Sequence, residues 1–484
     1  MIPPRLSRAT LPAPTPRPSL APIARGRRLV FGVIVAVMAI GLPLLVGEIA
    51  LRLIYRDAGT RTVGGPGGQD FVYRYIDPVV EQRGPTVNGP KPPDTERILV
   101  LGDSITWGVG VRDWRELYVN LLLERLHATG RHFDMEVRAH GGQNMDEHAR
   151  IVEAHAAALA PDYIIYQWYN NDVEINPHRP RWPLWWEYWR GHDWLMAHSY
   201  LYFVINTQLS KAAIANGWGS GGISYTQYLI DAYADGTPGW TLFEDQFHRF
   251  ATYATASAKH VLVFLYPQVP FRGAYPLEAL NRRMRAMATP HRLSYPAAWL
   301  GHEVGEDAPE PSVKGGRVRR SDGREGVLIS GPSIPMRAGH YEVTQRLRLD
   351  QPAPNQSAPN RQATGGGAVE TFAIVADGRE VARREIAAAD CGRPGEWIDV
   401  TLGVNLDAPL TRAVEWRVTV ARDVRLSVDA LSMPIRYDGL DVLDLADRLN
   451  TFDTHASIFD SHPNARAHAE VAKALAEWVL SKKN

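Results

Sequence analysis

Arg97-Ile98-Leu99-Val100-Leu101-Gly102-Asp103-Ser104 is the stretch that decides the fold. A short apolar run, ended by a glycine and followed by helical periodicity over residues 113–126, reads as a buried strand feeding a helix. The alternation continues with strands over 135–139, 163–168 and 260–266 and helices over 145–159 and 242–258. Elements in this order predict a mostly parallel sheet with helices on both faces.

Past residue 290 the period of the apolar residues becomes two. Tyr341, Val343, Leu347 and Leu349 share one face of a strand, Val400, Leu402, Val404 and Leu406 follow Ile398 on a second, and Val414, Trp416, Val418 and Val420 form a third. Asp377-Gly378 suits a hairpin turn, and a Pro/Asn/Gly-rich loop over 351–367 interrupts the series, so the region reads as a β-sandwich. Beyond it, 441–446 reads as one more parallel strand and 464–480 as a closing amphipathic helix. The β module is therefore expected as an insertion, occupying 291–437, in an α/β domain formed by 96–290 and 438–484.

Ahead of the domain, residues 29–47 carry no charge and are long enough to cross a bilayer as a helix, with only Pro43 disturbing the run. Arg5, Arg8, Arg17, Arg25, Arg27 and Arg28 precede it without an acidic residue, and the positive-inside rule keeps such a segment in the cytoplasm. The expectation is a cytoplasmic tail over 1–28, a single-pass anchor over 29–55 in the inner (cytoplasmic) membrane, and a catalytic region outside the cytoplasm. A cleaved signal peptide competes, but the run exceeds a usual signal core and no small-x-small site comes after it. A buried core helix would show a polar stripe, which this segment lacks. Residues 56–95, rich in Gly, Pro and Arg, read as a linker.

The 53 basic and 53 acidic residues balance, which gives no support to a nucleic-acid partner. Cys391 is the single cysteine, so no internal disulfide can form.

Ser104 stands where the first strand ends and a helix is about to begin, the end of such sheets at which ligands bind. A serine there is exposed, with its own N–H free for a developing oxyanion. The plainer alternative is a serine cap on a Gly-rich turn. A hydroxyl needs a base, and Asp460-Ser461-His462-Pro463 lies immediately before the final helix, with Pro463 favouring an extended His462. In these roles His462 takes the proton of Ser104 and Asp460 holds the imidazole tautomer. A second pair, Asp453 and His455, is passed over because only the later pair adjoins the helix start.

Together these residues resemble the SGNH (GDSL) hydrolase family. Its blocks are a GDS serine, a glycine, an asparagine in a GxND segment, and a histidine following an aspartate near the C-terminus. The counterparts here are Ser104, Gly142 within His140-Gly141-Gly142-Gln143-Asn144, Asn171 within Tyr169-Asn170-Asn171-Asp172, and His462 with Asp460. The resemblance implies a flavodoxin-like three-layer α/β/α sandwich and an oxyanion hole made of the Ser104 and Gly142 N–H groups and the Asn171 amide. Tyr169 replaces the family glycine, and Gly141 could replace Gly142 as donor. The Asp-x-His spacing, in place of Asp-x-x-His, also occurs in members that handle acetyl groups on bacterial exopolysaccharides. The activity this implies is hydrolysis of an O-acyl ester, an acetyl group on a cell-envelope or exported glycan, through an acyl-Ser104 intermediate. Three other outcomes are weighed: an O-acetyltransferase using the same residues, a lipid esterase or thioesterase, and an idle glycan-binding scaffold in an envelope polysaccharide assembly complex.

The β module is similar to carbohydrate-binding-like modules in architecture and in its strand at 339–344. Trp107, Tyr169, Trp185 and Trp186 are candidate substrate-lining residues. The aromatics over 182–194 suit sugar stacking, the membrane headgroup region, or the core of a lid. No cofactor and no metal are expected: His148 and His155 lack a third ligand, His468 reads as helix surface, and no P-loop is present. Arg317, Arg319 and Arg320 read as a solvated turn.

Overall fold

A computed structural model describes residues 25–54, 83–173, 189–218, 221–234, 236–268, 273–351, 368–457 and 460–482. Helix α1 (Arg25–Ile54) runs unbroken through Pro43, and its apolar part, Val30–Leu53, is unburied. At 1.5 Å per residue those 24 residues are long enough to cross a membrane.

The α/β unit begins with β1 (Glu96–Gly102), α2 (Ser104–Trp107), α3 (Tyr118–His127), β2 (Phe133–Ala139), α4 (Met145–Leu159) and β3 (Tyr163–Trp168). Next comes an excursion of three helices, α5 (His192–His198), α6 (Tyr200–Asn216) and α7 (Tyr225–Ala232), and then α8 (Pro238–Ser257), β4 (His260–Leu265) and α9 (Glu278–Ala286). The next eight strands are antiparallel: β5 (His291–Pro296), β6 (Glu306–Pro309), β7 (Arg317–Arg320), β8 (Gly326–Leu349), β9 (Ala368–Ala376), β10 (Arg379–Ala387), β11 (Trp397–Val420) and β12 (Leu426–Ile435). The chain then returns as β13 (Leu440–Asp444), α10 (Ala446–Leu449), the hairpin β14 (His455–Ser457) and β15 (Asp460–Pro463), and α11 (Ala465–Ser481).

The parallel sheet has the order β2-β1-β3-β4-β13. Alternation along β1 explains the layers: Ile98 and Val100 pack with α3 and α11, while Leu99 and Leu101 pack with α4 and α8. After β2 the chain crosses back to lay β3 on the other side of β1, so a crevice opens at the carboxyl ends of β1 and β3.

In the antiparallel unit, the two segments expected as separate strands near 398–406 and 414–420 are one 24-residue strand, β11. Pairing with β8 shifts register between Leu406 and Leu410 and again between Thr411 and Val414. Such bulges bend a strand without ending it, so the broken period at Asp407–Pro409 marks a bend. The Asp377-Gly378 turn joins β9 to β10 with both residues at positive φ, 46° and 82°, as a tight hairpin requires. Arg319, expected in a solvated turn, is buried on β7, paired with Asp307 at 2.7 Å and donating to the carbonyls of Leu328, Ala298 and Leu300. His248 of α8 joins the two units, bonded to the Tyr437 hydroxyl at 2.9 Å and to the Pro335 carbonyl at 2.8 Å.

His468 corrects a second expectation. Asn464 caps α11, and the register this sets turns His468 inward, where its Nδ1 accepts from the Tyr118 N–H at 3.0 Å. Burial pushes its imidazole down to about 3, so it stays neutral and can serve as that acceptor.

Candidate active site

Gly102 ends β1 because a side chain there would collide with Thr106 and Gln167. The next residue, Asp103, caps α2, its carboxylate accepting from the Ile105 N–H at 2.9 Å, and Ser104 is the helix's first residue. Gly108 ends the helix in the left-handed conformation, φ 93°. Ser104 is thus raised at the crevice, half-buried, by a turn only four residues long.

His462 arrives from the other end of the chain. Its Nε2 lies 2.9 Å from Ser104 Oγ, across 358 positions of sequence. The β14–β15 hairpin holds it extended, and Asn464 locks the hairpin's end by donating to the carbonyls of Asp453 at 2.6 Å and His455 at 2.9 Å. Gly110 makes the approach possible: a β-carbon there would come within 2.7 Å of Ala456 and 2.9 Å of the Pro463 carbonyl. His455 sits on the neighbouring strand opposite Pro463, and it is His462 that meets the serine. Asp460 lies two residues before His462 on β15, and its side chain is outside the described residues.

Arg83 grips the serine turn from the opposite side. Its guanidinium donates to the carbonyls of Gly108 at 2.8 Å, Val111 at 2.9 Å and Arg112 at 3.2 Å, and lies 5.4 Å from the Trp107 ring centre. Residues 83–95, expected as the end of a linker, are therefore packed onto the domain. Val137 N–H donates to the Pro85 carbonyl, Val87 N–H to Glu136, and Lys91 pairs with Asp162 at 2.9 Å. An arginine in a Gly/Pro-rich stretch carries no periodicity, so nothing in the sequence singles it out. Arg83→Ala would leave three carbonyls in a half-closed environment without their donor, and the expected loss is about 2–4 kcal/mol of stability with a drop in turnover. Arg83→Lys should recover only part, since an ammonium cannot span three acceptors as a guanidinium fork does. Thermal unfolding alongside kcat checks both.

Asn171 lies on a single helical turn, Asn170–Val173, directly after β3. Gln167 Oε1 accepts from the Asp103 N–H at 3.1 Å. Burial raises the Asp103 carboxyl, against the lowering influence of the Ile105 N–H, the charge of His462 and the side chains of Asn171 and Gln167. Asp172, also buried, accepts from the Tyr169 N–H at 2.7 Å. Burial, and after it the charge on Asp103, push the Asp172 carboxyl well above the ordinary carboxylate range. Two carboxyl groups in one dry site oppose each other's ionisation. His148, 4.0 Å from Asp172, is pushed down to about 3 by burial and is neutral.

Gly141 and Gly142 form the turn before α4, which Asn144 caps. A β-carbon built on Gly141 would lie 3.9 Å from that of Ser104, whereas one on Gly142, at φ 82°, would meet nothing. The glycine nearer the serine is Gly141. Trp107 is half-buried beside Arg83, and half-buried Tyr169 packs near Tyr266, ring centres 6.4 Å apart. Trp185 and Trp186 fall outside the described residues. Among the described residues, no three His, Cys, Asp or Glu side chains group as metal ligands.

No family model matches this chain, and no curated protein does. Esterases and carbohydrate-binding modules are among its neighbours in solved structures. It is similar to TesA at 18% identity and a TM-score of 0.22, over 39% of this chain and 69% of that one. It is similar to Axe2, an acetylxylan esterase from Geobacillus stearothermophilus, at 12% identity and 0.22, over 40% and 68%. The C-terminal CBM6 of LamC from Zobellia galactanivorans is similar at 11% identity and 0.22, over 30% and 100%. Likenesses this distant carry no weight for activity, which rests on the geometry of the site.

Proposed function

We propose that the chain is a serine ester hydrolase of the SGNH type, acting on O-acyl groups, acetyl above all, of a cell-envelope or exported glycan. The observation that carries this reading is the 2.9 Å contact between His462 Nε2 and Ser104 Oγ at the carboxyl end of a parallel sheet. In the proposed cycle Ser104 Oγ attacks the ester carbonyl carbon and its proton passes to His462 Nε2. The oxyanion is held by the N–H of Ser104, an N–H of the Gly141-Gly142 turn and the Asn171 amide. Collapse of the intermediate expels the alcohol, which takes the proton from His462, and water then releases the acid by the same route. Asp460 is assigned the task of holding the imidazole tautomer.

The glycan assignment draws on the Asp-x-His spacing and on the antiparallel unit, and the membrane assignment on α1 with its arginine-rich approach. We place α1 in the inner membrane and the catalytic unit outside the cytoplasm. The test is incubation of the full chain with an O-acetylated oligosaccharide, monitoring free acetate and acetylated acceptor together. Acetate release that disappears in Ser104→Ala is the expected outcome. Acetyl transfer to the acceptor without release would replace hydrolysis by transferase chemistry, and inertness toward acetyl and long-chain esters alike would reject both.

A further inference from the structure

The last turn of α1 does not end free. Glu48 accepts hydrogen bonds from the Ser199 hydroxyl at 2.9 Å and from the N–H groups of Tyr200 at 3.2 Å and Leu201 at 2.9 Å, the first residues of α6. Arg52, one turn on, pairs with Glu48 at 2.7 Å, donates to the His198 carbonyl at 2.6 Å, and lies over the Tyr200 ring at 5.4 Å. Ser199 is at once the cap of α6 and a donor to Glu48. A carboxylate near the end of an apolar membrane helix is costly unless paired, and the unsatisfied N–H groups of a helix start are a fitting partner. This contact fixes the start of α6 against the C-terminal part of α1.

From there the apolar surface continues. Leu201 packs against Gly47, and Ile205 and Leu209, one and two turns further along the same face of α6, are exposed. Trp189, Trp194, Trp218 and Ile223 of the same excursion are exposed as well, Trp194 at 62%. Outside α1, these six account for most of the exposed large apolar side chains, and only Leu242, Trp299, Val381 and Leu480 are scattered over the rest of the described chain. Indole and aliphatic groups on a segment bonded to a spanning helix are the chemistry of the headgroup–acyl boundary.

We infer that the α5–α6 excursion lies in the outer boundary layer of the membrane that α1 crosses, held there by Glu48, with Trp194, Leu209 and Trp218 in contact with lipid. This rests on α1 being the anchor. It extends that reading from a bare tether to a segment docked on the membrane surface beside α1.

The test uses the full chain in lipid nanodiscs, with Cys391→Ser as background and nitroxide labels on single cysteines at Leu209, Trp218, Val37 and Val381. Collision with oxygen, which concentrates in lipid, is compared with collision with a water-soluble nickel complex. Leu209 and Trp218 should read as Val37 does, rich in oxygen, while Val381 on β10 reads as water-exposed. Adding Glu48→Ala should lower the oxygen-to-nickel ratio at Leu209 several-fold and leave Val37 unchanged. Leu209 and Trp218 reading like Val381 while Val37 reads as lipid would overturn the docking and spare the anchor. An aqueous reading at Val37 would overturn both.

Discussion

His462→Ala is expected to lower kcat about ten-thousand-fold or more, with His455→Ala within a fewfold of the parent protein. The two histidines are seven residues apart and each comes after an aspartate at the same spacing, so composition alone does not separate them. Geometry does: His462 is 2.9 Å from Ser104 Oγ, while His455 occupies the paired strand. A serine hydroxyl without a base is a poor nucleophile at neutral pH, and once the base is gone Ser104 retains only its position. Ser104→Ala should fall to the same residual rate, and the double variant should be no slower than either single one, because the two groups act as one unit. Steady-state kinetics on a small aryl acetate provides the comparison. Equal losses for His455→Ala and His462→Ala would point to a collapsed hairpin and not to a lost base, and unfolding curves for both variants tell these apart.

Asn171→Ala should also cut turnover steeply. Removing one oxyanion donor typically costs a hundred- to a thousand-fold in kcat, or about 3–4 kcal/mol of transition-state stabilisation, with KM little changed. Asn171 also lowers the pKa of the buried Asp103 carboxyl, so its loss would raise the cost of a charge there. The two effects separate by readout. A donor acting on the transition state moves kcat and leaves the unfolding midpoint nearly still, whereas a partner of Asp103 moves the midpoint. Loss confined to KM would remove Asn171 from the oxyanion site.

Legibility in the residues varies with the physics of each element. The central strands of the parallel sheet, β1, β3 and β4, read as short apolar runs because they are buried on both faces, and α4 lies where its cap Asn144 and apolar period place it. Ser104 and His462 are legible for a related reason: each stands at an element boundary, where a side chain must project. Contacts made over long range are not. Arg83 owes its role to three carbonyls in a turn about 25 positions on, and no local pattern announces that. The inward turn of His468 results from the register that Asn464 sets, and a polar residue on an amphipathic helix defaults to the surface. β11 reads as two strands because a bulge and a true strand end interrupt the period alike. α6 escapes notice because its apolar residues surround the helix without a polar face, a pattern that makes sense only beside α1.

That Ser104 is an activated nucleophile paired with His462 is tested most directly by covalent labelling of the full chain with a serine-directed fluorophosphonate, read by mass at the modified peptide. Stoichiometric modification at Ser104 is expected, slowed by orders of magnitude in His462→Ala and absent in Ser104→Ala. A folded parent protein that remains unlabelled, or is labelled at another serine at the same rate in all three, would contradict the pairing.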